Sequence, residues 1–198
     1  MTASSISLQS VTSTIAEAIE RVVSSVPASR QHAVREPGVA AVKLARKAAR
    51  RAATLSGALA LPPGALGLLT VIPDLIAIWR IQAQMVADIA GLYGRELELT
   101  RTHMVYCLFR HAATQLARDV FVRTGERVVM RQLSGTALRS VLTGVGLNIT
   151  QRVAGTAASR WVPLVGAAAV AGYAYFDTTQ VAKTAIKLLE TPALATPV

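Results

Sequence analysis

The sequence predicts an all-α fold, a multi-helix bundle with two apolar hairpins that are broken by proline and glycine. Apolar residues make up 52% of the chain and aromatic residues only 5%. The apolar content is therefore mainly Ala, Val and Leu, which favours close-packed helices over sheets. Apolar positions also recur three or four residues apart, the period of an amphipathic helix. A length of 198 residues is common for a single domain, so we expect one compact unit.

Residues 1–36 are predicted to form an N-terminal amphipathic helix and a linker, loosely attached to the rest of the chain. The linker, from Pro27 to Gly38, contains two prolines and charges of both signs, which is typical of an exposed connection. A helical domain is expected over residues 37–190 and a C-terminal tail over residues 191–198. The apolar face of the first helix comprises Leu8, Val11, Ile15, Ile19, Val22 and Val26.

The next helix carries the densest positive charge in the chain. Its basic residues recur at helical spacing, so they share one face opposite a smooth face of alanines. Such a face is either simply solvated or attracted to a membrane surface. The basic residues are Lys43, Arg46, Lys47, Arg50 and Arg51.

An uncharged stretch comes directly after this helix, from Ala52 to Pro73. It is long enough to span a membrane, but Pro62, Pro63 and several glycines interrupt it, so a straight spanning helix is not expected. The stretch is predicted to be a hairpin, either buried in the protein core or inserted in a membrane. Pro73 and Asp74 should then open a helix, and Gly94 should end one.

The last third of the chain repeats this order. A second uncharged stretch runs from Trp161 to Phe176, is broken by Pro163 and two glycines, and ends at Asp177. The two hairpins could therefore be related by an internal duplication about a pseudo-twofold axis, or could share only composition.

Net charge and cysteine content indicate the environment of the protein. A net charge of +10 attracts polyanions, and the scarcity of aromatics beside the basic clusters favours anionic lipid over nucleic acid, which is not expected to bind. The single cysteine excludes a disulfide framework within the chain and suits a reducing compartment. The start of the sequence lacks a secretory signal pattern. We therefore expect a cytoplasmic protein, peripheral to the inner face of the cell membrane.

Two segments resemble the EcsC family of bacterial proteins. The segment LPPGALGLLTVIPDLIAIWRIQAQMVADIAGLYG, residues 61–94, has a glycine-rich turn, a Pro-Asp-Leu helix start and an Ile-Ala-x-x-Tyr-Gly ending. The segment WVPLVGAAAVAGYAYFDTTQVAKTAIKLL, residues 161–189, is similar to the family's closing element. The resemblance implies an all-helical, membrane-associated bacterial protein without an established activity, and it brings no catalytic residue. The matching positions are Pro73, Asp74, Gln82, Ile89, Ala90, Tyr93 and Gly94.

Two sets of side chains are candidates for binding a ligand. Arg80, Gln84 and Asp88 form a polar stripe at helical spacing, which is either solvated or a buried polar network or ligand site. Asp74 and Asp177 could meet if the hairpins are related by a twofold axis, although a helix-capping role explains each of them alone.

His103, Cys107 and His111 recur four residues apart and could present two nitrogens and a sulfur to zinc or copper. A partly buried helix face explains the same spacing, since three ligands over more than two turns of one straight helix rarely converge on a single ion. No cofactor is otherwise expected.

The leading hypothesis from the sequence is a non-enzymatic accessory protein that binds anionic membrane lipid through the basic helix and the apolar hairpins, with a membrane protein as a further candidate partner. One alternative is a soluble helical module that holds a lipid or another apolar ligand in an internal cavity. A third is a metal-dependent enzyme that uses the histidine and cysteine set. Nothing in the sequence resembles a nucleophile elbow or a phosphate-binding loop.

Overall fold

A computed structural model describes residues 8–59, 67–110 and 163–191, with side chains over 13–58, 73–110 and 167–191. In these ranges the protein is all-helical, which confirms the predicted fold class. The elements are α1 (Leu8–Val23), α2 (Pro37–Leu59), α3 (Gly67–Leu92), a 3-10 turn (Glu96–Glu98), α4 (Arg101–Phe109) and α5 (Pro163–Glu190).

Helix α3 lies at the centre and contacts each of the other four described helices. Its inner side chains are almost fully buried, and Trp79 packs edge-on against Phe109 of α4 with the ring centroids 5.5 Å apart. This apolar burial is the main stabilising contribution to the bundle. The core includes Ile15, Ile19 and Val23 of α1, Val86 and Ile89 of α3, Met104 and Val105 of α4, and Val181 and Ala185 of α5.

Helices α2 and α5 form the most extensive contact and run antiparallel. A Cβ built on Gly57, near the end of α2, would lie 3.4 Å from the Cβ of Ala171, near the start of α5. At the other end of the pair, a Cβ built on Gly38 would lie 3.7 Å from Oε1 of Glu190. Alanines on both helices let the backbones approach closely, and those of α2 that are buried are Ala41, Ala45, Ala48, Ala49 and Ala52.

The N-terminal helix is an integral part of this core. Ile15, Ile19 and Val23 are at most 1% exposed, and the linker after them is hydrogen-bonded to α3, as when Val34 N–H donates to the Leu92 carbonyl at 3.1 Å. The expectation of a loosely attached helix is therefore wrong. The apolar stripe of α1 needs a partner, and α3 and α4 supply it.

The two aspartates predicted to open helices lie inside helices instead. Helix α3 begins at Gly67, so Pro73 ends its second turn and Asp74 begins its third. Helix α5 runs without a break from Pro163 past Asp177. A proline inside a helix loses one backbone hydrogen bond, and the apolar run before Pro73 is otherwise compatible with a helix. Proline and aspartate were thus misleading as signals of a helix start.

The predicted end of α3 is confirmed. Gly94 has a left-handed φ of 65°, which costs glycine little because it has no Cβ. Gly94 N–H donates to the Gly91 carbonyl and Arg95 N–H to the Ala90 carbonyl, both at 2.9 Å. This pair of bonds is a Schellman motif, which satisfies carbonyls that the end of a helix leaves without partners.

Candidate functional site

The basic side chains of α2 form one outward surface, here called the basic face: Lys43, Arg46, Lys47, Arg50 and Arg51. All five are exposed, while the alanines on the opposite side of the helix are buried against α5 and the core. Among the described residues, no acidic side chain lies within ion-pairing distance of any of the five. The basic face therefore presents uncompensated positive charge to the surroundings.

The helix directions bring the described parts of both uncharged stretches to one end of the bundle. Gln82 of α3 contacts Asp177 of α5, and Tyr93, directly after α3, contacts Glu190 at the end of α5, so these two helices run parallel. Because α2 runs antiparallel to α5, the end of α2 meets the beginnings of α3 and α5. We call this region the uncharged end: residues 52–59, 67–73 and 163–176, none of which is charged. The same register places two charged residues of α3, Asp74 and the exposed Arg80, about level with Val170 and Phe176 of α5.

Apolar side chains are exposed on α5 at the uncharged end. Val170 is 46% exposed and Phe176 is 59% exposed, and Tyr173 lies on the same outer side of the helix. Further along that side the residues become Lys183 and Lys187, both exposed. Phe176, Lys183 and Lys187 share one face at the spacing i, i+7 and i+11, which could have indicated this pattern in the sequence, whereas Val170 lies about 120° further around the helix. The contacts of α5 are needed to show which side is outward.

Asp74 is the acidic residue of α3 that lies about level with Val170, at the uncharged end. It follows Pro73 directly and is partly buried, and that burial raises the pKa of its carboxyl group above the usual value because charge is disfavoured away from water. The expected meeting of Asp74 with Asp177 gains no support from the described contacts, because Gln82, two turns beyond Asp74 on α3, is the residue that contacts Asp177.

A buried polar contact joins α3 to α5. The Nε2 of Gln82, a residue with no exposed surface, donates to Oδ2 of Asp177 at 2.7 Å and to Oγ1 of Thr178 at 3.2 Å. The Oε1 of Gln82 is buried without a hydrogen-bond partner in the described part of the chain. Hydrogen bonding to an ionised carboxylate is among the stronger polar contacts, so this pair fixes the relative register of the two helices.

The predicted polar stripe of α3 divides into two parts. Gln84 and Asp88 hold the linker: Asp88 Oδ1 accepts from the backbone N–H of Arg30 at 2.8 Å and from Gln84 Nε2 at 2.9 Å, while Gln84 also donates to the Ala28 carbonyl. Arg80 is exposed and outside this network. In the described part of the chain, Gln84 and Asp88 therefore hold the linker against α3.

The end of the bundle opposite the uncharged end is held by polar groups, and we call it the charged end. Tyr93 Oη donates to Glu190 Oε1 at 3.0 Å, and burial, followed by the Glu190 hydrogen bond and charge, raises the pKa of Tyr93 to about 12. Arg95 pairs with Glu98 at 2.7 Å and donates to the Leu189 carbonyl at 2.6 Å. These contacts satisfy carbonyls at the end of α5 and join it to α3.

Two members of the predicted metal set are buried in α4, and the third, His111, lies outside the described residues. His103 completes a capping box with Thr100: Thr100 Oγ1 accepts from His103 N–H, and His103 Nδ1 lies 3.2 Å from the Thr100 backbone nitrogen. The same Nδ1 lies 3.1 Å from the Glu98 carbonyl, so its tautomer decides which bond forms. Burial lowers the pKa of His103 and raises the pKa of the Cys107 thiol to about 12, so both side chains favour the neutral state. No cluster of three potential metal ligands occurs within the described ranges.

One stretch among the described helices, Pro73–Leu92, is long and apolar enough to cross a membrane by length and composition, but 56% of its most apolar window is buried inside the bundle. A core helix passes the same test, so this is weak evidence for a span.

Comparison of the chain with protein-family models, curated proteins and solved structures gives no match in any of the three.

Proposed function

We propose that the protein is a non-enzymatic accessory protein that docks on anionic membrane lipid through the basic face of α2. The observation that carries the proposal is the exposure of all five basic side chains without an acidic partner in the described part of the chain. An uncompensated basic surface is attracted to anionic headgroups by about 1 kcal/mol per Lys or Arg. Its matching location is the inner face of the cell membrane, where anionic lipid faces the cytoplasm.

The rigid setting of the basic face also supports this function. Its helix is packed along its whole alanine side against α5 and the core, so the basic helix need not fold on binding. A preformed surface avoids the entropic cost of ordering a segment when it binds.

The resemblance to the EcsC family belongs to the same proposal. Two of its matching positions, Gln82 and Tyr93, contact α5 at Asp177 and Glu190, in or beside the second segment of the resemblance. Contacts between the two segments would give both of them a structural reason to occur together in one chain. A membrane protein is a further candidate partner, because it would lie next to the docked protein at the membrane surface.

The experiment is flotation of the purified protein with vesicles of phosphatidylglycerol and phosphatidylcholine, and with phosphatidylcholine alone. The variant Arg46→Gln, Lys47→Gln, Arg50→Gln should bind the anionic vesicles about a hundredfold more weakly, since three charges contribute about 3 kcal/mol. Binding should be absent with phosphatidylcholine and should weaken as salt is added.

A matched control removes the same charge elsewhere. Arg21, Arg30 and Arg35 are exposed on the N-terminal helix and linker, and their replacement by Gln lowers the net charge equally. This control should retain most of the affinity. Equal losses in the two variants would mean that total charge and not the basic face controls binding, and unchanged binding of the α2 variant would refute the proposal.

A further inference from the structure

The fold collects the uncharged segments of α2, α3 and α5 at one end, next to the basic face. Lys43 to Arg51 occupy the middle of α2, and the helix then continues without charge from residue 52. On α5 the order along the outer side is the same: Val170 and Phe176 lie at the uncharged end, and Lys183 lies nearer the charged end. Two antiparallel helices thus change from basic to uncharged in the same direction along the bundle.

The spacing of this change matches the layers of a bilayer. Phe176 and Lys183 are separated by seven residues, which is about 10 Å along a helix. The polar headgroup layer on each side of a bilayer is roughly 5–8 Å thick. Gly57 lies opposite Ala171 and Gly38 lies near Glu190, so Arg51 of α2 is about level with residue 177 of α5. A bundle that stands with its uncharged end in the bilayer can therefore keep Lys183 and the basic face at the headgroups, because the long Arg51 side chain can extend toward them. Phe176 then lies where the acyl chains begin, and Val170, about 9 Å further along α5, lies among them.

Resting on the proposed function, we infer that the uncharged end is the part that enters the membrane, with Val170 and Phe176 of α5 in contact with the acyl chains. The occupant of this exposed apolar surface is an anionic bilayer, because the adjoining positive charge complements its headgroups. The bundle then stands on its uncharged end, so α2 enters the interface with its C-terminal turns first. A helix lying flat would instead place Val39 of α2 at the same depth as Ala58.

Environment-sensitive labels test the orientation in the full chain. Phe176→Cys, Lys183→Cys and Leu97→Cys place a thiol at the uncharged end, at the basic level and at the charged end, while native Cys107 is fully buried. Each variant is labelled with a nitrobenzoxadiazole fluorophore and mixed with anionic vesicles. The fluorescence emission of the label at position 176 should shift to shorter wavelength, and this label should become protected from an aqueous quencher. The label at position 183 should show smaller changes, and the label at position 97 should show none.

A second measurement tests how much the exposed apolar side chains of α5 contribute to vesicle binding. After docking at low salt, the wild type should retain a fraction of its binding to the vesicles when salt is raised, because apolar burial is not screened. The variant Val170→Ser, Phe176→Ser should lose about tenfold or more of this salt-resistant binding. The control variant Val39→Ser, Leu97→Ser, which removes exposed apolar side chains elsewhere, should lose none.

The two proposals fail in different ways. If the wild type does not float with anionic vesicles, the membrane function itself is wrong. If it floats but the label at 176 stays exposed to the quencher, or the label at 97 becomes protected, docking is real and the uncharged end does not enter. Equal salt resistance of the Val170→Ser, Phe176→Ser variant would likewise overturn the inference alone.

Discussion

The two ends of the bundle are held together by different interactions. At the charged end, Tyr93, Arg95 and Glu98 of the segment after α3 bond to each other or to the end of α5. At the uncharged end, α2 and α5 meet through residues as small as Gly57 and Ala171, and apolar side chains of α5 remain exposed. Polar bonds at one end fix the register of the helices, and small residues at the other let them approach closely without adding charge. The polar contacts at the charged end can therefore hold the helices in register while the uncharged end stays accessible to apolar surroundings.

Glycine substitutions give the largest expected effect and test how tightly each end is packed. A Cβ at Gly91 would clash with Ser29 Oγ and lie 2.6 Å from the Gln31 carbonyl oxygen, whereas a Cβ at Gly172 would meet nothing within 4 Å. Gly91→Ala should destabilise the protein by about 2–3 kcal/mol, because the linker must move away from α3. Gly172→Ala should stabilise it by about 0.5–1 kcal/mol through higher helix propensity.

Thermal or urea unfolding of the two alanine variants measures both effects. If Gly91→Ala is as stable as the wild type, the linker does not hold to α3 as described. If Gly172→Ala is destabilising, the outer side of α5 is covered by other parts of the protein and is not free to meet a membrane.

The pH dependence of stability tests the buried histidine near the charged end. Burial lowers the pKa of His103 in the folded protein, so the unfolded chain binds the proton more readily. The stability due to neutral His103 is therefore fully present above the unfolded pKa of about 6.5 and is lost as the pH falls below it. His103→Gln should reduce the loss of melting temperature between about pH 7 and pH 5, since Gln in this position can also complete a capping box with Thr100.

His32, which is exposed on the linker, provides the control. His32→Gln should leave the pH dependence close to that of the wild type. An unchanged pH dependence in His103→Gln would show that His103 is not held neutral by burial.

The smallest expected effect concerns Asp74, the acidic residue of α3 at the level of the uncharged end. Burial raises the pKa of its carboxyl group, so the ionised form is held at a cost, and entry of that end into a membrane would increase the cost. Asp74→Asn should tighten binding to anionic vesicles by less than about fivefold, roughly 1 kcal/mol at most for a partly exposed charge. Glu36→Gln removes an equal charge from the exposed start of α2 and should have a smaller effect in flotation. The opposite order would place the entering surface elsewhere.

The fold class, the basic face and the end of α3 could be predicted from the amino-acid sequence alone. Helical periodicity placed Lys43 to Arg51 opposite the buried alanines, and Gly94 ended α3 because a left-handed residue is needed there. These features depend on neighbours within a turn or two of one helix, which the sequence order displays directly.

The contacts between segments that are distant in the sequence depend on tertiary packing and could not be predicted. Local signals at Pro73 and Asp177 predicted helix starts, yet both residues lie within longer helices because packing along α3 and α5 favours continuous helix across those positions. Three features depend on the directions in which helices pack: the contact of Gln82 with Asp177, the binding of the linker by Asp88, and the meeting of the described parts of both uncharged stretches at one end. Those directions are set by the fit of whole helix surfaces, which no short stretch of sequence contains.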